Sequence, residues 1–472
     1  MTMTQSANNE DSLAQNLKPR HVRMLSIAGV IGAGLFVGSG HAISEAGPAV
    51  LISYAAAGAL VVLIMRMLAE MAVASPDSGS FSTYADKALG RWAGFTIGWL
   101  YWWFWVLVIP LEANAAGTIL HAWFPEVAIW QYTFAITLLL TITNLLSVKN
   151  YGEFEFWFAL IKVVAIILFL GVAGAAVLGL LPDSNTSGLS HLYDTHGFMP
   201  NGMGAVVAAI LTTMFSFMGT EIVTIAAAES KNPGKQITQA TNSVIWRIAL
   251  FYLLSIFFVV ALVPWNTSGL VEQGSWQTVL TAMNIPHARL IVDLVVLMAV
   301  CSCLNSALYT SSRMLYSLSR RKDAPASASR TNRSGTPWVA VLLSTAAAFL
   351  AVIANYLAPS VVFEFLLATS GAIALLVYLV IAVSHLVLRK KREKAGEVLN
   401  YRMWLFPGLT WVTILFITTV LIIMLFDAKH QAELLATGGL TLLIITTSLV
   451  LRRKKEKRQS TKYFTQRSSD PS

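Results

Sequence analysis

Charge is what this sequence has least of. Only 12% of its 472 residues are Asp, Glu, Lys or Arg, while 56% are hydrophobic. A soluble chain of this length could not solvate its surface with so few charges. Cysteine is scarce as well: Cys301 and Cys303 are the only two, in one apolar run. Two residues apart on one helix, they cannot readily form an unstrained disulfide with each other. No disulfide framework is expected, and both read as small buried hydrophobes. Catalytic signatures are also missing. There is no H-E-x-x-H, no G-x-S-x-G, no P-loop and no Cys/His cluster at metal spacing. Hence no catalytic residue, no cofactor and no metal is expected. The net charge of +9 is not a nucleic-acid signal, because the basic residues cluster between apolar stretches.

What the chain does have is long apolar runs. A spanning helix needs about 20 consecutive apolar residues, and such stretches recur from Leu25 to Leu451. The pattern predicts an all-α polytopic membrane protein with twelve spans, near 24–44, 48–72, 93–120, 127–147, 156–180, 203–228, 241–263, 288–315, 337–356, 360–388, 403–426 and 433–451. A polar leader, 1–23, holds Lys18, Arg20 and Arg23. The first apolar stretch is followed at once by a second, so it reads as a retained helix. The tail, 452–472, is basic and polar and is expected to be a solvated, disordered anchor. With the N-terminus inside, only Arg289 and Lys429 of the 33 Lys and Arg fall outside. Positive residues concentrate on the cytoplasmic side, so both termini are expected there. The external loop from Pro182 to Pro200 has no Lys or Arg.

Two spans carry helix breaks. The first reads Gly29-Val30-Ile31-Gly32-Ala33-Gly34-Leu35-Phe36, and the sixth reads Phe215-Ser216-Phe217-Met218-Gly219-Thr220-Glu221. A break at membrane depth survives only where protein covers it or it lines a cavity. The two spans lie five apart, so they cross in opposite directions. Spans 1–5 and 6–10 then form inverted repeats, each opening with a discontinuous helix. Half-helix N-termini offer N–H groups and a positive dipole end to an anion. Unwound carbonyls suit a cation, so a zwitterion fits both. Gly34-x-x-x-Gly38 is also a helix-contact motif, but the matched break in the sixth span favours the functional reading.

Ionisable groups inside spans are costly and mark function by default. Glu112 lies in the third span, Lys162 in the fifth, and Glu221 after the sixth-span break. Lys162 could snorkel, and Glu112 could sit nearer the external boundary. Function is favoured for both, with Lys162 the natural titrating group. Glu221, beside Gly219, is expected to cap the second half of the sixth span. Most rings of the run Trp99 to Trp105 must face neighbouring helices or lipid. Phe215 and Phe217, flanking the break, are better pocket candidates. The basic stretch Arg313 to Lys322 reads as an interfacial anchor.

At these residues the chain resembles the amino acid/polyamine/organocation transporter superfamily. Ile31-Gly32-Ala33-Gly34-Leu35-Phe36 is similar to its first-helix motif. Gly79-Ser80-Phe81-Ser82-Thr83-Tyr84-Ala85 is similar to the motif after the second helix in the amino-acid permease branch. Glu153-Phe154-Glu155-Phe156-Trp157 through Lys162, and Glu229 to Ile237 with Arg247-Ile248 and Phe251-Tyr252, resemble further signatures in the same order. Thr238 departs from the branch, where proline is common, in a cytoplasmic connection of little consequence. The likeness runs from about Leu17 to Leu451.

The resemblance implies a leucine-transporter-type fold: a first repeat over 24–180, a second over 203–388, and two peripheral helices over 403–451. It implies an inner-membrane location. It implies that a substrate carboxylate meets backbone N–H groups at Gly32, Ala33 and Gly34. The ammonium would meet carbonyls near Phe215, Ser216 and Phe217. Lys162 matches a lysine that, in relatives, stands where a sodium ion would otherwise bind and is thought to couple protons. Within the branch, Trp99 to Asn114, Ser147 to Trp157 and Cys303 to Arg321 resemble members that carry γ-aminobutyrate. The implied function is import of γ-aminobutyrate with protons by alternating access. Its charges are two methylenes farther apart than those of an α-amino acid, and Glu112 could accept the distant ammonium. Alternatives are another small neutral amino acid, a polyamine, an exchanger, or a sensor that binds without transport.

Overall fold

The computed structural model describes residues 18–467 apart from 25–30, 78, 147, 182–185, 195, 229, 231, 286, 358 and 428–430. Every regular element among the described residues is helical. That follows from the solvent, since a spanning segment in hydrocarbon must satisfy its own backbone. In chain order the α-helices are α1 (Pro19–Met24), α2 (Ser39–Ala46), α3 (Val50–Ala74), α4 (Ser80–Leu89), α5 (Arg91–Trp123), α6 (Ile129–Leu146) and α7 (Val148–Val177). There follow α8 (Gly202–Phe217), α9 (Ile222–Ala228), α10 (Pro233–Arg247), α11 (Leu254–Leu262), α12 (Gly269–Glu272), α13 (Ser275–Ala282) and α14 (Ala288–Arg320). The last are α15 (Trp338–Leu357), α16 (Pro359–Lys394), α17 (Gly408–Leu425) and α18 (Gln431–Arg467). A π-helical turn, Gly34–Gly38, runs into α2, and another, Ile248–Leu253, joins α10 to α11.

Ten helical stretches among the described residues are long and apolar enough to cross a membrane. One of them, Gly34–Ala74, holds two spans, α2 and α3, joined by a short turn at Gly47–Ala49. The apolar part of α15, Trp338–Leu350, supplies one more. That makes twelve, so the chain is a multi-pass membrane protein.

Burial separates an inner set of helices from an outer one. The α5 helix and the α8–α9 pair are the most enclosed. In contrast, α6, α7, α15, α17 and α18 expose Leu139, Leu168, Leu350, Leu415 and Leu442. An apolar band of this extent is suited to lipid, not water. Basic segments meet at one end of the bundle. There Arg91 pairs with Asp323 at 2.8 Å, and Lys391 donates to the Lys87 carbonyl at 3.3 Å. Also at this end, Arg66 donates to the Tyr401 hydroxyl at 2.9 Å. Beneath them Glu70, 1% exposed, accepts from Arg389 at 2.9 Å and from the Met403 N–H at 2.6 Å.

In the leader, for which no local structure was expected or excluded, α1 buries His21 and Val22, and Arg20 donates to Glu153 of α7 at 2.5 and 2.6 Å. Two segments differ from the sequence expectation. Arg313 to Arg320 is no interfacial anchor. It is the last part of α14, where Arg313 is 1% exposed and its guanidinium lies 4.0 Å from the centre of the Tyr309 ring. Stacking on an aromatic face satisfies a buried guanidinium that amphipathicity alone assigns to the surface. The tail is helical to Arg467 instead of disordered. Residues 452–467 contain no Gly or Pro, and they extend a helix already nucleated in the membrane.

Candidate functional site

The two breaks meet at the centre of the bundle. Ala33, Gly34 and the π-helical turn open α2, and Met218 to Glu221 separate α8 from α9. Met218 is extended, at φ −60° and ψ 144°. Gly219 follows at φ +101°, a left-handed value that costs a side-chain-bearing residue energy but not glycine. The Ser216 hydroxyl donates to the Gly34 carbonyl at 2.7 Å. A Cβ on Gly34 would stand 2.7 Å from the Ser216 Cα, so only glycine allows this approach. The Tyr54 hydroxyl lies 3.5 Å from Ser216 Oγ. Gly29 and Val30, the start of the predicted first break, lie outside the described residues.

Three buried charges surround this contact, each from a different span. Glu112 of α5, 1% exposed, accepts from the Ala33 N–H at 3.2 Å (Oε1) and 2.9 Å (Oε2). Lys162 of α7 is fully buried and does not snorkel. Its Nζ donates to the Ile31 carbonyl at 3.2 Å and to Ser302 Oγ at 2.9 Å. Glu221 accepts from the Gly219 N–H at 3.0 Å, from Tyr101 of α5 at 2.8 Å and from Tyr378 of α16 at 3.4 Å. It thereby satisfies an N–H that the break frees, and ties the break to two other spans.

Sequence reasoning missed the far side of the Lys162 site. Ser302 of α14 donates in turn to Glu155 Oε2 at 2.7 Å, and Asn305 donates to Glu155 Oε1 at 2.9 Å. Asn144 of α6 donates to Asn305 Oδ1 at 2.6 Å. Glu155 is fully buried. It escaped notice because the fifth span was expected to begin at residue 156, whereas α7 begins at Val148. A usable signal existed: Glu155 and Lys162 lie about two helical turns apart, on one face.

A cavity of about 10 Å³ lies between the breaks, lined by Gly34, Glu112, Phe215, Ser216 and Cys303 among others. That is room for about one water. Phe217 points elsewhere, its ring 4.7 Å from that of Tyr252. At the end away from the basic segments the centre is sealed. Trp276 of α13 stacks on Phe169 at 3.9 Å and meets the edge of Phe36 at 4.9 Å. Ser275 donates to the Phe36 carbonyl at 3.2 Å, and its hydroxyl lies 2.7 Å from that of Ser39. Outside this seal is a cavity of about 620 Å³, reached by Val37 and His41 of the first span and by Asn114 and Thr118 of α5.

Twelve spans, two facing helix breaks and buried charges gathered around them define a membrane transporter of the leucine-transporter type, built on two inverted five-helix repeats with two peripheral spans. A family model of amino acid permeases matches residues 21–460. The chain belongs to the amino acid permease family. It is 66% identical over 432 residues to the "Probable GABA permease" of Pseudomonas aeruginosa, covering 91% of both chains. It is 66% identical over 430 residues to the "Gamma-aminobutyric acid permease" of Escherichia coli strain K12, covering 91% of this chain and 92% of the other. Among solved structures, a manganese transporter of Eremococcus coleocola shares the fold. The TM-score is 0.58 at 15% identity, covering 95% of this chain and 98% of that one.

Proposed function

We propose that this chain is a secondary active transporter that imports γ-aminobutyrate together with protons by alternating access. The observation that carries the substrate is the likeness to the two GABA permeases, 66% identical across nearly their whole length. Substrate discrimination depends on the residues lining a site, and identity at this level leaves few of them free to differ.

The geometry supports a matching division of labour. The N–H groups at Gly32, Ala33 and Gly34 receive the carboxylate. The carbonyls near Phe215, Ser216 and Phe217, together with Glu112, receive the ammonium. Lys162, hydrogen-bonded to Ile31 and Ser302, couples the proton. When charged it fastens the first break to α14, and when neutral its hydrogen bonds weaken and the hold loosens. Gly219 and Glu221 keep the second break in shape. Residues 24–180 and 203–388 act as the two repeats, with 403–451 peripheral. The protein is no enzyme: it moves its substrate unchanged. Lys and Arg bias puts the basic end and both termini in the cytoplasm, with the protein in the inner membrane. The central cavity, at about 10 Å³, is too small for the substrate. Binding therefore requires the first repeat to move against the second.

The test is uptake of labelled γ-aminobutyrate into proteoliposomes with and without an inward proton gradient, with neutral amino acids and polyamines as competitors. Gradient-dependent accumulation supports the proposal. Accumulation of a competitor in place of γ-aminobutyrate overturns the substrate. Binding without accumulation overturns transport.

A further inference from the structure

Glu112 does not stand apart from the anion site as a waiting acceptor for an ammonium. Both of its carboxylate oxygens face the Ala33 N–H, at 3.2 and 2.9 Å. The approach is shaped for it. A Cβ on Gly32 would stand 2.5 Å from Oε1 and 2.7 Å from Oε2, so the absent side chain there makes the room that the carboxylate fills. The adjoining cavity of about 10 Å³ leaves no space for a second carboxylate. One N–H cannot serve two carboxylates at full strength, and two anions in a site of low dielectric repel strongly.

We propose that the Glu112 carboxylate is a tethered substitute for the substrate's carboxylate, holding the donor at the first helix break until a free carboxylate displaces it. This rests on reading that break as the carboxylate site. Once displaced, the Glu112 carboxylate keeps Cys303 and the field of Lys162 but loses its backbone donor. An incoming cation makes good that loss. The exchange therefore selects for zwitterions through one residue. A bare carboxylate can take the Ala33 N–H but gives Glu112 no replacement for it and adds a second anion beside it. A bare amine can pair with Glu112 but gives the N–H nothing in exchange. The distance from Ala33 to the displaced carboxylate sets the preferred spacing between the ligand's charges.

The experiment is equilibrium binding of butyrate, butylamine and γ-aminobutyrate to the purified full chain in nanodiscs, comparing wild type with Glu112→Gln. With the resident anion gone, butyrate is expected to bind at least about tenfold tighter to Glu112→Gln than to wild type. γ-Aminobutyrate is expected to bind no tighter, because its ammonium has lost its partner. A residue with a purely structural role would weaken both ligands. A second readout needs no variant. Infrared difference spectra of the wild type with ¹³C-carboxylate γ-aminobutyrate should show a protein carboxylate band shifting on binding. Unchanged or weaker butyrate binding by Glu112→Gln, or no shifted protein band, overturns the proposal. The butyrate comparison reads the exchange whichever amino acid is carried. A wild type that ignores γ-aminobutyrate while butyrate still distinguishes the two proteins thus overturns the substrate and not the exchange.

Discussion

Lys162 and Ile31 are joined across the bundle: the lysine Nζ donates to the isoleucine carbonyl at 3.2 Å, beside the first helix break. The same ammonium holds Ser302 of α14. One side chain thus fastens the first break to α7 and α14. Lys162→Ala is expected to lower proton-driven accumulation by at least about tenfold, the equivalent of one hydrogen bond to a charged group. Exchange of labelled for unlabelled substrate should persist. Uptake by this variant that still responds fully to the proton gradient would remove Lys162 from the coupling step.

Ser302 links Lys162 to Glu155, accepting from one and donating to the other. Ser302→Ala deletes both bonds and leaves two buried charges short of a partner. The expected loss is about 1–3 kcal/mol per orphaned group, read as a lower thermal midpoint in detergent. Ser302→Thr, which keeps the hydroxyl, should recover most of it. Equal midpoints for Ser302→Ala and wild type would show that water replaces the hydroxyl.

Gly34→Ala places a methyl group 2.7 Å from the Ser216 Cα, where only backbone movement makes room. Uptake should fall by at least about tenfold, since a small misplacement at a binding site is costly. Gly438→Ala is the control, because nothing lies within 4 Å of its added carbon. Similar losses from the two substitutions would mean that the close approach of the breaks is unimportant.

At the basic end, Glu70 is held by Arg389 and the Met403 N–H. Removing Glu70 leaves Arg389 its second partner, Glu393 at 2.7 Å, but orphans the Met403 N–H, so Glu70→Ala should cost about 1–3 kcal/mol. The double variant with Arg389→Ala should cost less than the sum of the two single changes. Additive losses in a double-mutant cycle would show that the pair does not act as one unit.

His21 tests the docking of α1. Burial is the largest influence on its ring and holds it below the usual value of 6.5, against the opposing pull of Glu153. The undocked imidazole therefore takes a proton at a higher pH than the docked one. Docking should be intact above pH 6.5 and weaken as pH falls below it. Limited proteolysis near Arg20 and Arg23 should quicken between neutral and acidic pH, and His21→Gln should flatten the change. Cleavage that slows on acidification would reverse the assignment.

Much of this is legible in the sequence. Apolar runs fixed the number of spans, because hydrocarbon permits only one local solution for a single segment. Glycines at Gly32, Gly34 and Gly219 marked both breaks. Glu112, Lys162 and Glu221 stood out because charge inside a span is expensive. What escaped was lateral. No period along α7 announces that Glu155 meets Ser302 and Asn305 of α14, or that Asn144 completes the chain from α6. Arg313 looked like a surface residue because composition does not reveal the Tyr309 ring beneath it. The occupation of the Ala33 N–H by Glu112 joins residues 33 and 112, and sequence adjacency carries no trace of it.

The stack of Phe169, Trp276 and Phe36 has an electrical side. A membrane that stores energy as a proton gradient is a charged capacitor, and every carrier in it is a potential short circuit. The three rings pack face to face and edge to face at the end of the centre away from the basic segments. Phe36 belongs to the first break itself, so any movement of that break also disturbs the stack. On the proposed proton-coupled mechanism, such a stack would let many copies sit in the membrane without draining its gradient.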